Sequence, residues 1–306
     1  MLKAMLRPIN SSLLAIYFIA ICLFGAGASH GALRVQDDRG VTHEWAVAPA
    51  RIVTLLPSLS ETVCALGECQ RLVGVDRYAN YPAQVKFLPK VGGGLDPNIE
   101  AVVALKPDVV LMSTATKAAA RLETLGIKVV ALDSQNYADV QRMMAVTARL
   151  LGLETQGSAA QPSGPVSQGL WQALNAEVKA AALLLPERSL KVYVEVGGAP
   201  YAASASSFIG ETLTQLGVVN VVPGSLGPFP KINPEMVVRA DPDVIMLSET
   251  GLAQLQQRPG WSRLRALRLG QVCTFTPAQS DVVVRPGPRL AEAAQIMARC
   301  LKDHVR

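Results

Sequence analysis

Three histidines, His30, His43 and His304, are all that this chain of 306 residues carries, and they lie near its ends. A Ser-His-Asp or Cys-His centre needs an imidazole inside a cleft, which this placement does not offer. The motifs H-E-x-x-H and the phosphate-binding G-x-x-x-x-G-K-[ST] are absent, and the one G-x-S-x-G match, Gly27–Gly31, falls at the end of the N-terminal apolar segment. Clustered His and carboxylate ligands for zinc or manganese are missing too, so neither an enzyme nor a metal site is expected. The run Gly92-Gly93-Gly94 is too short to cradle a phosphate and reads as a flexible turn into a helix at Asn98. Four cysteines lie beyond the N-terminal segment: Cys64, Cys69, Cys273 and Cys300. Neighbours in sequence would pair as Cys64 with Cys69 and Cys273 with Cys300. Four cysteines allow three pairings, and buried free thiols are the alternative. The spacings match neither a zinc ribbon nor a redox C-x-x-C.

Glu100 and Glu235 form a different kind of pair. Residues 98–113 (NIEAVVALKPDVVLMS) and 233–248 (NPEMVVRADPDVIMLS) align without a gap at an offset of 135, with eight identities in sixteen. Each copy opens with an Asn suited to an N-cap, places a Glu in the first turn, and ends in a Pro-Asp turn and a buried strand. An acid in a first turn is ordinary; the same acid in both copies of a repeat marks two equivalent positions on two related lobes.

The elements around these residues alternate. Short apolar runs at Ile52–Leu56, Leu72–Val75, Val109–Met112 and Val129–Leu132 are separated by helix-like stretches about Ser60–Leu66, from Asn98, about Lys117–Leu125 and about Tyr137–Leu151. The rhythm restarts with Lys191–Val196, Phe208–Leu216, Val219–Val222, a helix from Asn233, Val244–Leu247, Val272–Phe275 and a last helix about Pro288–Lys302. This βα alternation predicts parallel sheets covered by helices. A Gly/Ser/Gln/Pro-rich segment over Glu154–Gln168 precedes Leu170–Leu185, an Ala- and Leu-rich stretch read as one long helix joining the halves. The expected fold is α/β: two Rossmann-like lobes with parallel-rich sheets joined by one long backbone helix. The expected organisation is a signal peptide over 1–28, an N-terminal lobe over 29–160, a linker and inter-lobe helix over 161–187, and a C-terminal lobe over 188–306.

The first 28 residues read as an export signal. Lys3 and Arg7 precede the apolar run Leu13–Phe24, and small residues follow with an A-x-A pattern at Ala26 and Ala28. The run is shorter than the ~20 residues a membrane span needs. Ile21 before Cys22 is bulky for a lipobox, so lipidation is not expected. Cleavage near Ala28 leaves 27 basic and 24 acidic side chains, a net of +3, too mild and too evenly spread for nucleic-acid binding. The expected location is the periplasm, an oxidising compartment that permits disulfides.

The ordered motifs RIVTLLPSLSETVCALG, LVGVDRYANYP, a Gly-rich loop and NIEAVVALKPDVVL resemble the periplasmic substrate-binding proteins of ABC importers that have a rigid helical backbone, with the greatest similarity to the vitamin B12-binding group. The resemblance implies a ligand held between the lobes, and a monomer that meets the membrane only through the permease dimer it serves. Carried over position by position, it implies Tyr78, with Tyr81 beside it, on the first lobe, Tyr201 and Phe229 on the second, and Asp281 and Arg285 from the loop Ser280–Arg285. Gly94 and Phe229 stand where the B12 proteins carry tryptophans. Aromatic faces of this kind suit a large, flat, partly apolar ligand, here a corrinoid such as cobalamin, with no cofactor besides that ligand. Haem or a ferric siderophore is the alternative, with Tyr78 as a phenolate iron ligand and Arg77 or Arg285 pairing with propionates or catecholates. A periplasmic sensor without transport is another. The resemblance also implies that Glu100 and Glu235 sit at the outer tips of the lobes and pair with permease arginines.

Overall fold

The computed structural model describes residues 32–154, 164–186, 189–197, 200–255 and 257–304. The expected signal peptide with Cys22, His30, and residues 155–163 of the Gly/Ser/Gln/Pro-rich segment lie outside the described residues. The first element is a hairpin that the alternation did not reveal, β1 (Leu33–Gln36) paired antiparallel with β2 (Thr42–Trp45). Four-residue strands carry too little period to read, and only Val35 and Trp45 are buried on its inner face. Asp37 closes the turn by accepting from the N–H groups of Arg39 and Val41, both at 3.0 Å, and ties it to the first lobe by accepting from Ala131 at 3.2 Å.

The first lobe follows as β3 (Ile52–Thr54), α1 (Pro57–Ala65), β4 (Leu72–Val75), α2 (Ile99–Ala104), β5 (Val109–Met112), α3 (Ala119–Thr124), β6 (Val129–Ala131) and α4 (Tyr137–Leu150). Its four strands are parallel in the order β4-β3-β5-β6. Every residue of β3 and β5 is buried, as expected of central parallel strands covered on both faces.

The long helix, α5, spans Pro165–Ala182 rather than Leu170–Leu185. Pro165 at its first position supplies the start signal, since proline there loses no intrahelical hydrogen bond. Leu183, Leu184 and Leu185 only close its end in tight turns.

The second lobe comprises β7 (Lys191–Val194), α6 (Phe208–Gln215), β8 (Val219–Asn220), α7 (Pro234–Ala240), β9 (Val244–Ser248), α8 (Glu249–Leu255), α9 (Arg265–Arg268), β10 (Val272–Phe275), α10 (Pro277–Val283) and α11 (Leu290–His304). Its parallel order, β8-β7-β9-β10, repeats that of the first lobe. Strand β8 ends two residues early because the Asn220 side chain turns to accept the Val222 N–H. The expected loop over 280–285 is largely helix α10, opened by a capping box between Thr276 and Gln279.

The sequence repeat is also a repeat of backbone geometry. Asn98 and Asn233 cap α2 and α7 with their side chains. Lys106 and Asp241, 135 apart, both adopt positive φ, 46° and 41°. Asp108 and Asp243 then accept from the N–H groups of Arg51 and Lys191, each at 2.8 Å, and so fix the entry of each lobe's central strand.

One hydrophobic core runs through both lobes, from Ile52, Leu59 and Val109 to Val192, Leu213 and Met246, with Leu174, Val178 and Ala181 of α5 inside it. The Trp171 ring of α5 meets Tyr137 of α4 edge-on at 5.5 Å. The shared core makes α5 a fixed strut. Among the described residues no helix is long and apolar enough to cross a membrane.

Candidate ligand-binding cleft

In both lobes the parallel strands deliver their carboxyl ends to loops, and ligands of open α/β sheets bind outside those ends. Tyr78 and Tyr81 lie in the loop after β4 and Tyr201 in the loop after β7, all three exposed, Tyr78 to 65%. Phe229 is half-buried and stacks edge-on against Phe208 at 5.6 Å, so part of its ring belongs to the core. Tyr201 pairs with Lys231, and Ala202 N–H donates to the Pro230 carbonyl and Ser204 N–H to that of Pro228, so the loop after β7 runs alongside the segment that carries Phe229.

Asp76 sets the Tyr78 loop. Its buried carboxylate accepts the Tyr78 N–H at 2.7 Å, and burial pushes its pKa up against the pull of the Tyr78 and Gly94 N–H groups. The Gly92–Gly94 run is tightly packed and not the flexible turn expected. Gly92 has φ 94°, and a Cβ on Gly94 would lie 2.8 Å from the Leu55 carbonyl oxygen, leaving no room for a side chain.

Arg285 is 6% exposed and spent on protein partners. Its guanidinium donates to Glu61 and Asn80, both at 2.8 Å, and to the Tyr78 carbonyl at 3.1 Å, and pairs with Asp281 at 2.9 Å. Asn80 in turn donates to Asp281 at 2.7 Å. The second lobe thus clamps the Tyr78–Tyr81 loop of the first. Arg289 lies 4.0 Å from the Tyr81 ring centre, over its face, and 3.6 Å from Glu61. Burial pushes the Glu61 carboxyl up against the pull of both arginines, and its Oε2 has no hydrogen-bond partner. Arg77 is likewise engaged, at 2.5 Å from Asp96.

Sequence reasoning missed Glu61, which hides inside an ordinary helix, and it missed a polar wall. A cavity of about 340 Å³ opens at the carboxyl ends of the first lobe's strands, where Ser113, Thr114, Asp133 and Ser134 stand beside the apolar Leu56, Leu132 and Met143, and Pro286 is its one lining residue from the second lobe. Asp133 lies two residues past β6 and directly after the predicted strand Val129–Leu132, so the carboxyl-end rule applied to that strand would have found it.

The remaining predicted residues lie elsewhere. Glu100 and Glu235 are exposed in the first turns of α2 and α7. Cys64 is bonded to Cys69, stapling the end of α1, and Cys273 to Cys300, joining β10 to α11. His304 approaches the second bridge, whose sulfurs are already spent.

Residues 52–278 match the family described as periplasmic binding protein. The chain belongs to that family. It is 29% identical over 262 residues to an uncharacterised ABC transporter substrate-binding lipoprotein, YvrC of Bacillus subtilis, covering 83% of this chain and 80% of that one. It is 28% identical over 266 residues to a vitamin B12-binding protein of Salmonella typhimurium, covering 85% and 92%. In structure it resembles the periplasmic haem-binding protein RhuT of Roseiflexus sp. RS-1, with TM-score 0.68 and 23% identity over 84% and 99% of the two chains. This periplasmic binding protein is therefore of the ABC-importer type, and its relatives are transport receptors.

Proposed function

We propose that the protein captures a corrinoid, cobalamin in the first instance, between its lobes and hands it to an ABC permease in the periplasm. The observation that carries the choice of ligand is the state of the two arginines a tetrapyrrole carboxylate would need. Arg77 is held by Asp96, and Arg285 by Glu61 and Asp281. A haem propionate or a catecholate would have to displace Glu61 and Asp281 from the buried Arg285, whereas a corrin periphery of neutral amides makes no such demand; the exposed Arg77–Asp96 pair is the weaker obstacle. The exposed Tyr78, Tyr81 and Tyr201 supply flat apolar area for a macrocycle. The similarity to a B12-binding relative supports the same reading.

The test is titration of the purified protein with cobalamin, haemin and a ferric hydroxamate, followed by absorbance and calorimetry. Cobalamin should bind one per chain and quench tyrosine and tryptophan emission. Tight haemin binding with no heat from cobalamin would overturn the assignment. The exposed Glu100 and Glu235 are the residues proposed to dock the loaded receptor on the permease.

A further inference from the structure

The wall after β5 and β6 has a definite hydrogen-bond polarity. Ser113 donates its hydroxyl proton to Asp133 Oδ1 at 2.6 Å, and Thr114 donates its own to Oδ2. Ser134 turns its proton to the Met143 sulfur at 3.3 Å. A hydroxyl has one proton and two lone pairs, so these three oxygens keep only accepting capacity toward the cavity. Ser113 Oγ spends one lone pair on the Ala115 N–H at 3.1 Å. Asp133 adds a negative charge behind them. The guanidinium of Arg142, which donates to the Asp133 main-chain carbonyl at 3.2 Å, is also committed to Asp38 and to Asp139 at 3.0 Å. Ser58 and Gln135 remain able to donate, so the bias comes from the Asp133 group and Ser134.

We propose that Asp133, acting through Ser113 and Thr114, is a specificity determinant that selects ligands bearing primary amides at their periphery and rejects the corresponding carboxylates. An amide N–H₂ finds acceptors on this wall, while a carboxylate meets lone pairs and a like charge, and such mismatches discriminate more strongly than lost apolar contact. A volume of about 340 Å³ suits such a side group, and the ring itself would lie outside it. The inference rests on the corrinoid reading of the cleft and adds a part of that site which recognises one edge of the ligand.

The test uses four probes: cobalamin, the series of its monocarboxylic acids with one peripheral amide hydrolysed in turn, haemin, and haemin with both propionates converted to amides. Wild-type protein should bind at least one monocarboxylic acid roughly tenfold or more weakly than cobalamin, the loss of one amide hydrogen bond plus repulsion. In Asp133→Asn, whose side-chain amide releases one hydroxyl proton toward the cavity, that ratio should fall toward unity. An unchanged melting curve will show that this variant is folded. Equal affinity for every acid, or an undiminished ratio in Asp133→Asn, overturns the inference even when cobalamin binds. If no corrinoid binds, the corrinoid reading falls, and a wild-type preference for the diamide of haemin over haemin then upholds the wall. Absence of that preference overturns it, as does failure to bind any of the four.

Discussion

The guanidinium of Arg285 reaches across the lobes to three groups of the Tyr78–Tyr81 loop and α1, so one side chain sets the geometry of the proposed ligand surface. Removing it leaves Glu61, itself 2% exposed, as a buried carboxylate whose remaining cation, Arg289, stands at 3.6 Å. Arg285→Ala should therefore cost about 3–5 kcal/mol of stability at neutral pH, measured by urea unfolding. The pH dependence has a fixed sign. Burial already raises the Glu61 pKa above its unfolded value, and loss of Arg285 raises it further, so the folded variant takes up a proton more readily than the unfolded chain. The deficit should shrink as pH falls into mild acid and grow on return to neutrality; a deficit independent of pH would mean that Glu61 does not carry it. A second residue-scale effect concerns Lys106, exposed and held at φ 46°. Lys106→Gly should raise stability by roughly 0.5–1 kcal/mol, the left-handed cost less the chain entropy of glycine. Asp241→Gly should gain less, because the Asp241 carboxylate accepts the Arg265 N–H at 2.9 Å and that bond would be lost.

Among the elements, the two disulfides differ most in the length of chain they close. Cys64 and Cys69 are five residues apart within one helix end, whereas Cys273 and Cys300 are 27 apart and join a strand to the C-terminal helix. In the chain-entropy account the longer loop stabilises more, about 3–4 kcal/mol against about 2. Cys273→Ala with Cys300→Ala should lower the urea midpoint further than Cys64→Ala with Cys69→Ala, and equal losses would place the effect in local packing. The same elements show what a sequence can disclose. The parallel strands, the Asn98 and Asn233 caps and the order of helices were readable because hydrophobic period and capping chemistry are local. Helix α10 was equally local, since Thr276-Pro277 with Gln279 is a capping box, and a carried-over loop assignment hid it. Exposed aromatics were legible as residue types in Pro/Gly-rich loops. The partners of Arg285 were not: Glu61 is 224 residues away, and only the meeting of two lobes brings them together. The Asp133 wall depends likewise on hydroxyls 20 and 19 residues upstream, at the end of the neighbouring strand.

At the scale of the whole molecule, the repeat gives the two lobes the same strand order and the same cap-and-turn device, and it places one exposed glutamate on each. The shared core and α5 tie the two lobes into one connected body that carries both Glu100 and Glu235. Two acids on one body can meet two cations on a partner only when that partner presents them at a matching spacing, as a symmetric permease dimer would. Neither carboxylate takes part in the network around Tyr78 or in the Asp133 wall. Single replacement of either by Ala should leave cobalamin affinity unchanged and weaken association with the permease. Replacement of both by Arg should be worse than truncation, because it sets like charges face to face at both encounters. Uptake of labelled cobalamin by cells carrying each variant, beside ligand titration of the purified proteins, measures the two effects separately. Normal uptake by the double Arg variant would remove the docking role. Loss of ligand binding in either Ala variant would instead put that glutamate in contact with the cleft. Increasing salt should slow association of the wild-type receptor with the permease and leave the double Ala variant nearly indifferent, since screening acts on the charges that remain.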